Sequence, residues 1–181
     1  MSKNKIISCR LCGDKKLNTI VNFGNIALGN NLQTSLSRSK NASRYDLIVK
    51  NCNSCNHFQL SVSINPKILY KTNYTYLTGI SETFKRHFQE YINWVENKTK
   101  LKIKKINVLD IGSNDGTCLS YFRNKGANVL GVDPAQMPSK IANNNGIRTI
   151  NKFFDQKVAN QILKKYGCFD FITSHNVLAH I

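Results

Sequence analysis

Four of the six cysteines stand in two pairs, Cys9-Arg-Leu-Cys12 and Cys52-Asn-Ser-Cys55, with thirty-nine residues between them. A two-residue spacing aims both sulfurs of a pair at one point. Two such turns converging on one ion supply the four thiolates of a tetrahedral zinc site. Gly13, directly after Cys12, provides the positive φ that such a turn often needs. His57 follows two residues after Cys55 and is a competing donor that a four-cysteine set leaves spare. A site closed by four protein ligands stabilises a small domain and offers no open position for catalysis. Cys118 and Cys168 read as packing residues.

A second constellation is Val108-Leu-Asp-Ile-Gly-Ser-Asn-Asp-Gly-Thr-Cys-Leu119, followed one helix-length later by Val129-Leu-Gly-Val-Asp133. An apolar run ending in Asp110, a turn bounded by Gly112 and Gly116, a helix, and a second apolar run ending in an acid outline a nucleoside-binding β-α-β unit. The two glycines read as positions where a Cβ would keep the backbone away from a ligand. Asp133, at a strand tip, is placed to accept hydrogen bonds from both ribose hydroxyls. The pattern departs from the dinucleotide G-x-G-x-x-G, because Ser113, Asn114 and Asp115 separate the glycines and put an acid where a pyrophosphate would lie. An anionic loop at a helix N-terminus repels phosphate but tolerates a cation such as the sulfonium of S-adenosylmethionine (SAM). The expected cofactors are therefore SAM and Zn2+. The plain alternative is a glycine turn that merely packs a strand against a helix.

These residues need elements to hold them. At 181 residues and 41% apolar, the chain suits one large or two small domains with a proper core. The spacing divides it into a zinc-binding domain over 1–70, a connecting segment and helix over 71–105, and a SAM-binding domain over 106–181. Short strands at Tyr45–Lys50 and His57–Leu60 flank the second cysteine pair. A helix opens at Ser81 with Phe84, Phe88, Tyr91, Ile92 and Val95 on one face, leaving His87 on the opposite, solvated side. From Ile106 the pattern alternates: strand 106–111, helix 116–125, strand 128–132, helix 138–145, strand 147–150, helix 156–166 and strand 169–173. Asp155 caps the third of these helices and Gly167 stops it. Right-handed crossovers give four parallel strands in the order 3-2-1-4, with the ligand crevice where the winding reverses. The fold class is thus α/β, a small zinc-binding domain followed by a Rossmann-like domain truncated after its fourth strand.

In order, Cys9-Arg-Leu-Cys12-Gly13, Cys52-x-x-Cys55 with Gln59-Leu60, Tyr74-Thr-Tyr76-Leu-Thr-Gly79-Ile-Ser81, Ile111-Gly-Ser-Asn-Asp-Gly116, Gly131-Val-Asp-Pro-Ala135 and Asn176-Val-Leu-Ala-His180 resemble the sugar C-methyltransferases that act on nucleotide-linked keto deoxysugars. The resemblance covers nearly the whole chain. It implies a zinc domain, a SAM domain and a further C-terminal domain that helps enclose the sugar. It also implies that Asp110 anchors the glycine loop, that Gly112, Asn114 and Gly116 shape it around the amino-acid part of SAM, and that Asp133 holds the ribose. Phe154 is implied near the adenine, and Asn176 approaches the cofactor from strand 4. Tyr76 and His180 would line the sugar pocket as the catalytic candidates, while the family's proposed base falls in a later Tyr/Glu/His segment. His180 is otherwise a polar end to a strand, and Tyr76 a core or interface aromatic. His175 has no assignment.

The expected partner is a nucleotide-linked sugar, itself an anion. A formal charge of +16 invites nucleic acid, but the lysines are scattered. The one dense run, Lys98-Thr-Lys-Leu-Lys-Ile-Lys-Lys105, reads as a solvated linker. Two readings compete: a zinc-containing RNA methyltransferase, and a non-catalytic zinc-ribbon binding module. Against the first, Asn176-Val-Leu-Ala-His180 lacks the Asn/Asp-Pro-Pro-aromatic pattern of base-amino methylation. Neither a bilayer-length apolar run nor a signal peptide is present, so a cytoplasmic location is expected. A fourth strand at the sheet edge is an exposed apolar edge, which suggests a fragment, a truncated gene product or half of a split protein, or a second polypeptide or self-association that covers it.

Overall fold

The computed structural model describes residues 3–71 and 74–180 and divides into two compact units, Met1–Asn73 and Tyr74–Ile181. The first contains β1 (Lys3–Lys5), β2 (Leu17–Ala27), α1 (Leu36–Lys40), β3 (Arg44–Cys52), β4 (Phe58–Leu60), β5 (Val62–Ile64) and α2 (Pro66–Tyr70). Strands β2, β3 and β4 form an antiparallel meander, and β1 pairs with β5. The strands read around the second cysteine pair are β3 and β4. Strand β2 is not apparent in the sequence, and its pairing explains why: the register against β3 slips between Thr19 and Val21 and again between Asn22 and Asn25. Each slip breaks the period-two alternation on which strand recognition depends.

The second unit opens with a 3-10 turn, Thr78–Ile80, and continues through α3 (Glu82–Thr99), β6 (Asn107–Ile111), α4 (Thr117–Asn124), β7 (Asn128–Val132), α5 (Gln136–Asn144), β8 (Thr149–Ile150), α6 (Gln156–Tyr166) and β9 (Phe171–Thr173). A final 3-10 turn spans Leu178–His180. The sheet order is β8-β7-β6-β9 with every pair parallel, the 3-2-1-4 arrangement that right-handed crossovers demand. Alternate residues of β6 feed two cores. Val108 joins Phe88, Ile92, Leu119 and Phe122 on one face, and Leu109 joins Leu130, Val132, Val158 and Ile162 on the other. The caps fall where the sequence puts them. Ser81 accepts from the Phe84 amide at 3.3 Å, Asp155 accepts from that of Val158 at 2.8 Å, and Gly167 ends α6 with φ +76.

Three expectations change. The lysine run is not an open linker: Lys98 and Thr99 complete α3, and Ile103 is fully buried in the core, because one apolar side chain among the lysines is enough to anchor the turn. Cys168 is exposed rather than packed, since it falls in the short loop between α6 and β9. Helix α5 begins earlier than read, with Pro138 inside its first turn, a position where a missing N–H costs nothing. Among the described residues, no helix is long and apolar enough to cross a membrane.

Candidate functional site

In the first unit the sulfurs of Cys9, Cys12, Cys52 and Cys55 all lie within 4.8 Å of one another. Cys9 and Cys55 are 3.6 Å apart, as are Cys12 and Cys52. Zn–S bonds of about 2.3 Å put the corners of a tetrahedron about 3.8 Å apart, so this spacing fits one zinc ion. Each pair sits on a tight turn: the Gly13 amide donates to the Cys9 carbonyl and that of Asn56 to the Cys52 carbonyl, both at 2.9 Å. Gly13 has φ +80 and Asn56 φ +56. Gln59 ties the turns together, accepting from the Arg10 amide at 2.8 Å and donating to the Ser8 carbonyl at 3.1 Å. The Cys12 amide leads in lowering the Cys9 thiol to about 6. At Cys55 the His57 amide pulls the other way, but burial and the three neighbouring sulfurs outweigh it and push the thiol up to about 12. Four thiolates this close need a cation among them. His57 lies outside the cluster.

In the second unit Asp110, Gly112, Asn114, Gly116 and Asp133 lie at the carboxyl ends of β6 and β7. Asp110 is the last buried acid of β6, with Oδ1 lacking a hydrogen-bond partner. Burial first, and then the charge of Asp133, push its carboxyl well above the usual carboxylate range. Gly112 turns at φ +77, and its amide donates to the Val132 carbonyl at 2.7 Å. Asp133 accepts from the Asn114 amide through Oδ2 and from the Ala135 amide through Oδ1, each at 2.8 Å. Burial raises Asp133 as well, against the pull of those two amides.

The glycines have a packing reason beside the one their spacing suggests. A Cβ on Gly116 would lie 3.0 Å from Ile147 Cβ and Cγ2 and 3.2 Å from Ala142 Cβ, so its bareness serves the core. A Cβ on Gly112 would come within 2.2 Å of Val177 Cγ2, which places the chain after β9 directly against the loop. Asp115 is engaged within the protein. Its Oδ1 accepts from the Thr117 amide at 3.2 Å and hydroxyl at 2.6 Å, and its Oδ2 accepts from the Gly79 amide at 2.7 Å. The acid therefore fills the anion position at the start of α4.

Tyr76 is joined to this site through Asn114, whose Nδ2 donates to the Tyr76 carbonyl at 3.1 Å. Its ring stands edge-on to Phe84 at 6.5 Å. Phe154 follows β8 and packs on the core shared with Ile111 and Val132. Asn176 follows β9 with φ +56, and His180 lies in the 3-10 turn beyond it, its amide donating to the Val177 carbonyl at 2.8 Å. His87 is exposed, as read, but not opposite the aromatics: its ring stacks on Tyr91 at 6.4 Å and meets Phe84 edge-on at 6.5 Å. His175, unassigned from sequence, joins a polar chain. The Tyr91 hydroxyl meets Thr173 Oγ1 at 3.0 Å, which meets His175 Nε2 at 2.9 Å. Cys118 Sγ lies 3.8 Å from the same nitrogen. Burial, then His87, lower the imidazole pKa. The only sequence signal for this chain is the i, i+2 spacing of Thr173 and His175 past a strand end.

A parallel sheet with an acid-bearing glycine turn, behind a four-thiol domain, defines the class. The sequence model described as a methyltransferase domain matches residues 84–181, more than half of the chain, and one described as a zinc binding domain matches residues 9–70. The chain belongs to the methyltransferase-domain family, with a zinc-binding domain ahead of it. It is similar to the C-methyltransferase NovU of Streptomyces niveus, 28% identical over 176 residues, covering 97% of this chain and 41% of that protein. It is also similar to the ubiquinone biosynthesis O-methyltransferase of Pseudomonas aeruginosa (strain UCBPP-PA14), 30% identical over 92 residues, covering 50% of this chain and 39% of that one. The chain spans about two fifths of the length of these relatives. Among solved structures it resembles the magnesium protoporphyrin IX methyltransferase of Synechocystis PCC 6803 with bound SAM, at 15% identity and TM-score 0.41 over 54% of this chain and 46% of that one.

Proposed function

We propose that this chain binds SAM at the carboxyl ends of β6 and β7, and that it is the zinc- and cofactor-binding part of a C-methyltransferase acting on a nucleotide-linked keto deoxysugar. One observation carries the cofactor reading: Asp110 Oδ1 is buried and has no hydrogen-bond partner among the described residues. A carboxyl held that way is unfavourable until a cation is brought to it, and the amino-acid end of SAM carries an ammonium group beside its carboxylate. The acceptor class rests on the ordered motifs and on the similarity to NovU over 97% of this chain.

In this reading Asp110 orients the ammonium end through the loop at Gly112 and Gly116. Asp133 spends one lone pair of each oxygen on an amide and keeps the other for a ribose hydroxyl. Phe154 flanks the adenine, and Asn176 closes the cofactor side from beyond β9. When bound, SAM supplies an electrophilic methyl group. Tyr76 and His180 serve the sugar side: the tyrosine hydroxyl donates to a developing enolate oxygen, and the histidine holds or accepts a proton. The first unit carries zinc, and the second, with α3 as part of its core, carries the cofactor. A reducing cytoplasm keeps the four thiols available to the metal.

Calorimetric titration of the zinc-loaded chain with S-adenosylhomocysteine tests the cofactor reading. Saturable one-to-one binding is expected, weakened at least about tenfold in Asp133→Ala; a folded protein that gives no heat overturns it. For the acceptor, the full-length protein is assayed for methyl transfer to keto-sugar nucleotides and to tRNA and rRNA fragments. Methylation of RNA, with binding that falls steeply with salt, would replace the sugar as substrate.

A further inference from the structure

We infer that Asn114 is a positioning residue that couples the cofactor loop to the tyrosine segment, so that filling the cofactor site sets the place of Tyr76. The inference rests on the cofactor reading above. Asn114 Oδ1 accepts from the Thr78 amide at 2.9 Å, and Nδ2 donates to the Tyr76 carbonyl at 3.1 Å. Both ends of the side-chain amide are thus engaged by one short stretch of backbone, which the side chain pairs much as a neighbouring strand would. One residue further, the Gly79 amide donates to Asp115 Oδ2 at 2.7 Å. Three hydrogen bonds from two consecutive loop residues therefore hold segment 76–79 onto the glycine turn.

The residue types fit this task closely. Asn114 sits at φ +50, a left-handed conformation that asparagine tolerates better than most residues. Aspartate could accept from Thr78 but would have nothing to donate to Tyr76, and an apolar residue could do neither. Gly79 must be bare: a Cβ there would lie 2.6 Å from Thr117 Oγ1 and 2.9 Å from Asp115 Oδ2. The sequence resemblance assigns Asn114 to shaping the loop around SAM, yet its side chain is turned to the tyrosine segment.

What makes this a coupling rather than a brace is the other end of Asn114. Its backbone amide donates to Asp133 Oδ2 at 2.8 Å, an oxygen of the carboxylate assigned to the ribose. A ribose hydroxyl arriving there shares the oxygen with Asn114, and the shift passes through one residue to the Tyr76 carbonyl and the Thr78 amide. The acceptor side would then be completed only after the cofactor is in place, giving ordered binding with SAM first.

Amide hydrogen exchange on the zinc-loaded chain, with and without S-adenosylhomocysteine, tests this. In the wild type the ligand should slow exchange at Thr78 and Gly79 by about tenfold or more. Asn114→Gly keeps the left-handed backbone and deletes both side-chain bonds. At ligand concentrations that saturate it, this variant should show the same Thr78 exchange with and without ligand. Thr78→Pro cuts the same bond from the other side and leaves the loop untouched, since Leu77 is already extended at φ −120, ψ 125 as a residue before proline requires. In this variant the Tyr76 and Asp115 bonds remain, so ligand should protect Gly79 less than in the wild type. Wild-type protein that binds ligand without any change at Thr78 and Gly79 overturns the coupling alone, as does protection that persists in Asn114→Gly. Wild-type protein that does not bind overturns the cofactor reading and the coupling together.

Discussion

Replacing Asp110 with asparagine should stabilise the second unit and disable its cofactor site, and the size of the first effect follows from where the carboxyl sits. Asp110 is wholly enclosed at the end of β6, with Oδ1 unpartnered and Asp133 nearby. Its pKa in the folded chain is well above the usual carboxylate value, with burial as the larger cause and Asp133 the lesser. A carboxyl raised on folding favours the native state fully below its unfolded pKa of about 3.9, and that contribution is lost as pH rises toward the folded pKa. Over that window the native chain holds one proton more than the unfolded chain, so wild-type stability falls by about 1.4 kcal/mol per pH unit from this group alone. The asparagine of the variant has no proton to lose. Asp133 titrates in both proteins and cancels to first order, although removing its charged neighbour eases it slightly. The two stability curves should therefore meet near pH 4 and diverge above it, with the variant the more stable at pH 7. Urea titrations from pH 4 to 8 on zinc-saturated protein measure this. Trp94, the only tryptophan, lies in α3 of the second unit and stacks on Tyr91 at 6.3 Å, so its fluorescence reports that unit. The same variant should lose at least about tenfold in S-adenosylhomocysteine affinity, because a buried ammonium loses its counter-charge. Parallel stability curves, or a less stable variant with unchanged affinity, would refute the reasoning.

Gly116→Ala should cost about 2–5 kcal/mol by urea denaturation. It adds a left-handed penalty at φ +79 to a methyl forced against Ile147 and Ala142. Ala142→Gly in the same chain should recover part of the packing loss and none of the backbone penalty. Chelation of zinc, or Cys52→Ser, should remove about one metal ion per chain by mass spectrometry and unfold the first unit. The S-adenosylhomocysteine affinity of the second unit should be retained within about threefold. A first unit that keeps its strand signal by circular dichroism without metal would contradict the assignment of the four sulfurs.

The parallel unit was legible because its signals are local. Val108-Leu-Asp-Ile and Val129-Leu-Gly-Val are short apolar runs bounded by turn residues. Ser81, Asp155 and Gly167 punctuate helices at the places where their side chains or φ angles do so, and handedness then leaves one strand order. The cysteine pairs were legible because metal chemistry fixes their spacing. What the sequence hid is long-range or irregular. Strand β2 slips register twice, so its residues carry no clean alternation. Asn114 finds its partners thirty-six and thirty-eight residues away, and nothing in the loop itself announces them. Gly116 has the residue type that a ligand-approach position requires, but Ile147 and Ala142 account for it. Tyr91 sits on the apolar stripe of α3 as expected, while its hydroxyl serves Thr173 and through it His175, a use that periodicity cannot distinguish from packing.

The charge of the chain makes sense once the loop is resolved. Only ten residues are acidic against twenty-six Lys and Arg, yet three of those ten, Asp110, Asp115 and Asp133, are buried around one turn. Repulsion is not the whole reason that a phosphate is unwelcome there: Asp115 already occupies the amide at the start of α4, so the anion position is filled by protein. Asp110 and Asp133 then set a negative interior suited to a cationic nucleoside, while the basic surplus lies outside the turn. In the function proposed above, an anionic acceptor is drawn by that surplus and a cationic cofactor by the interior. If that division holds, raising salt should weaken capture of the acceptor steeply, because exposed charges are screened within about 8 Å at physiological ionic strength. Cofactor affinity, set by buried carboxyls, should change far less. Equal salt sensitivity for both ligands would mean that the buried acids do not select the cation.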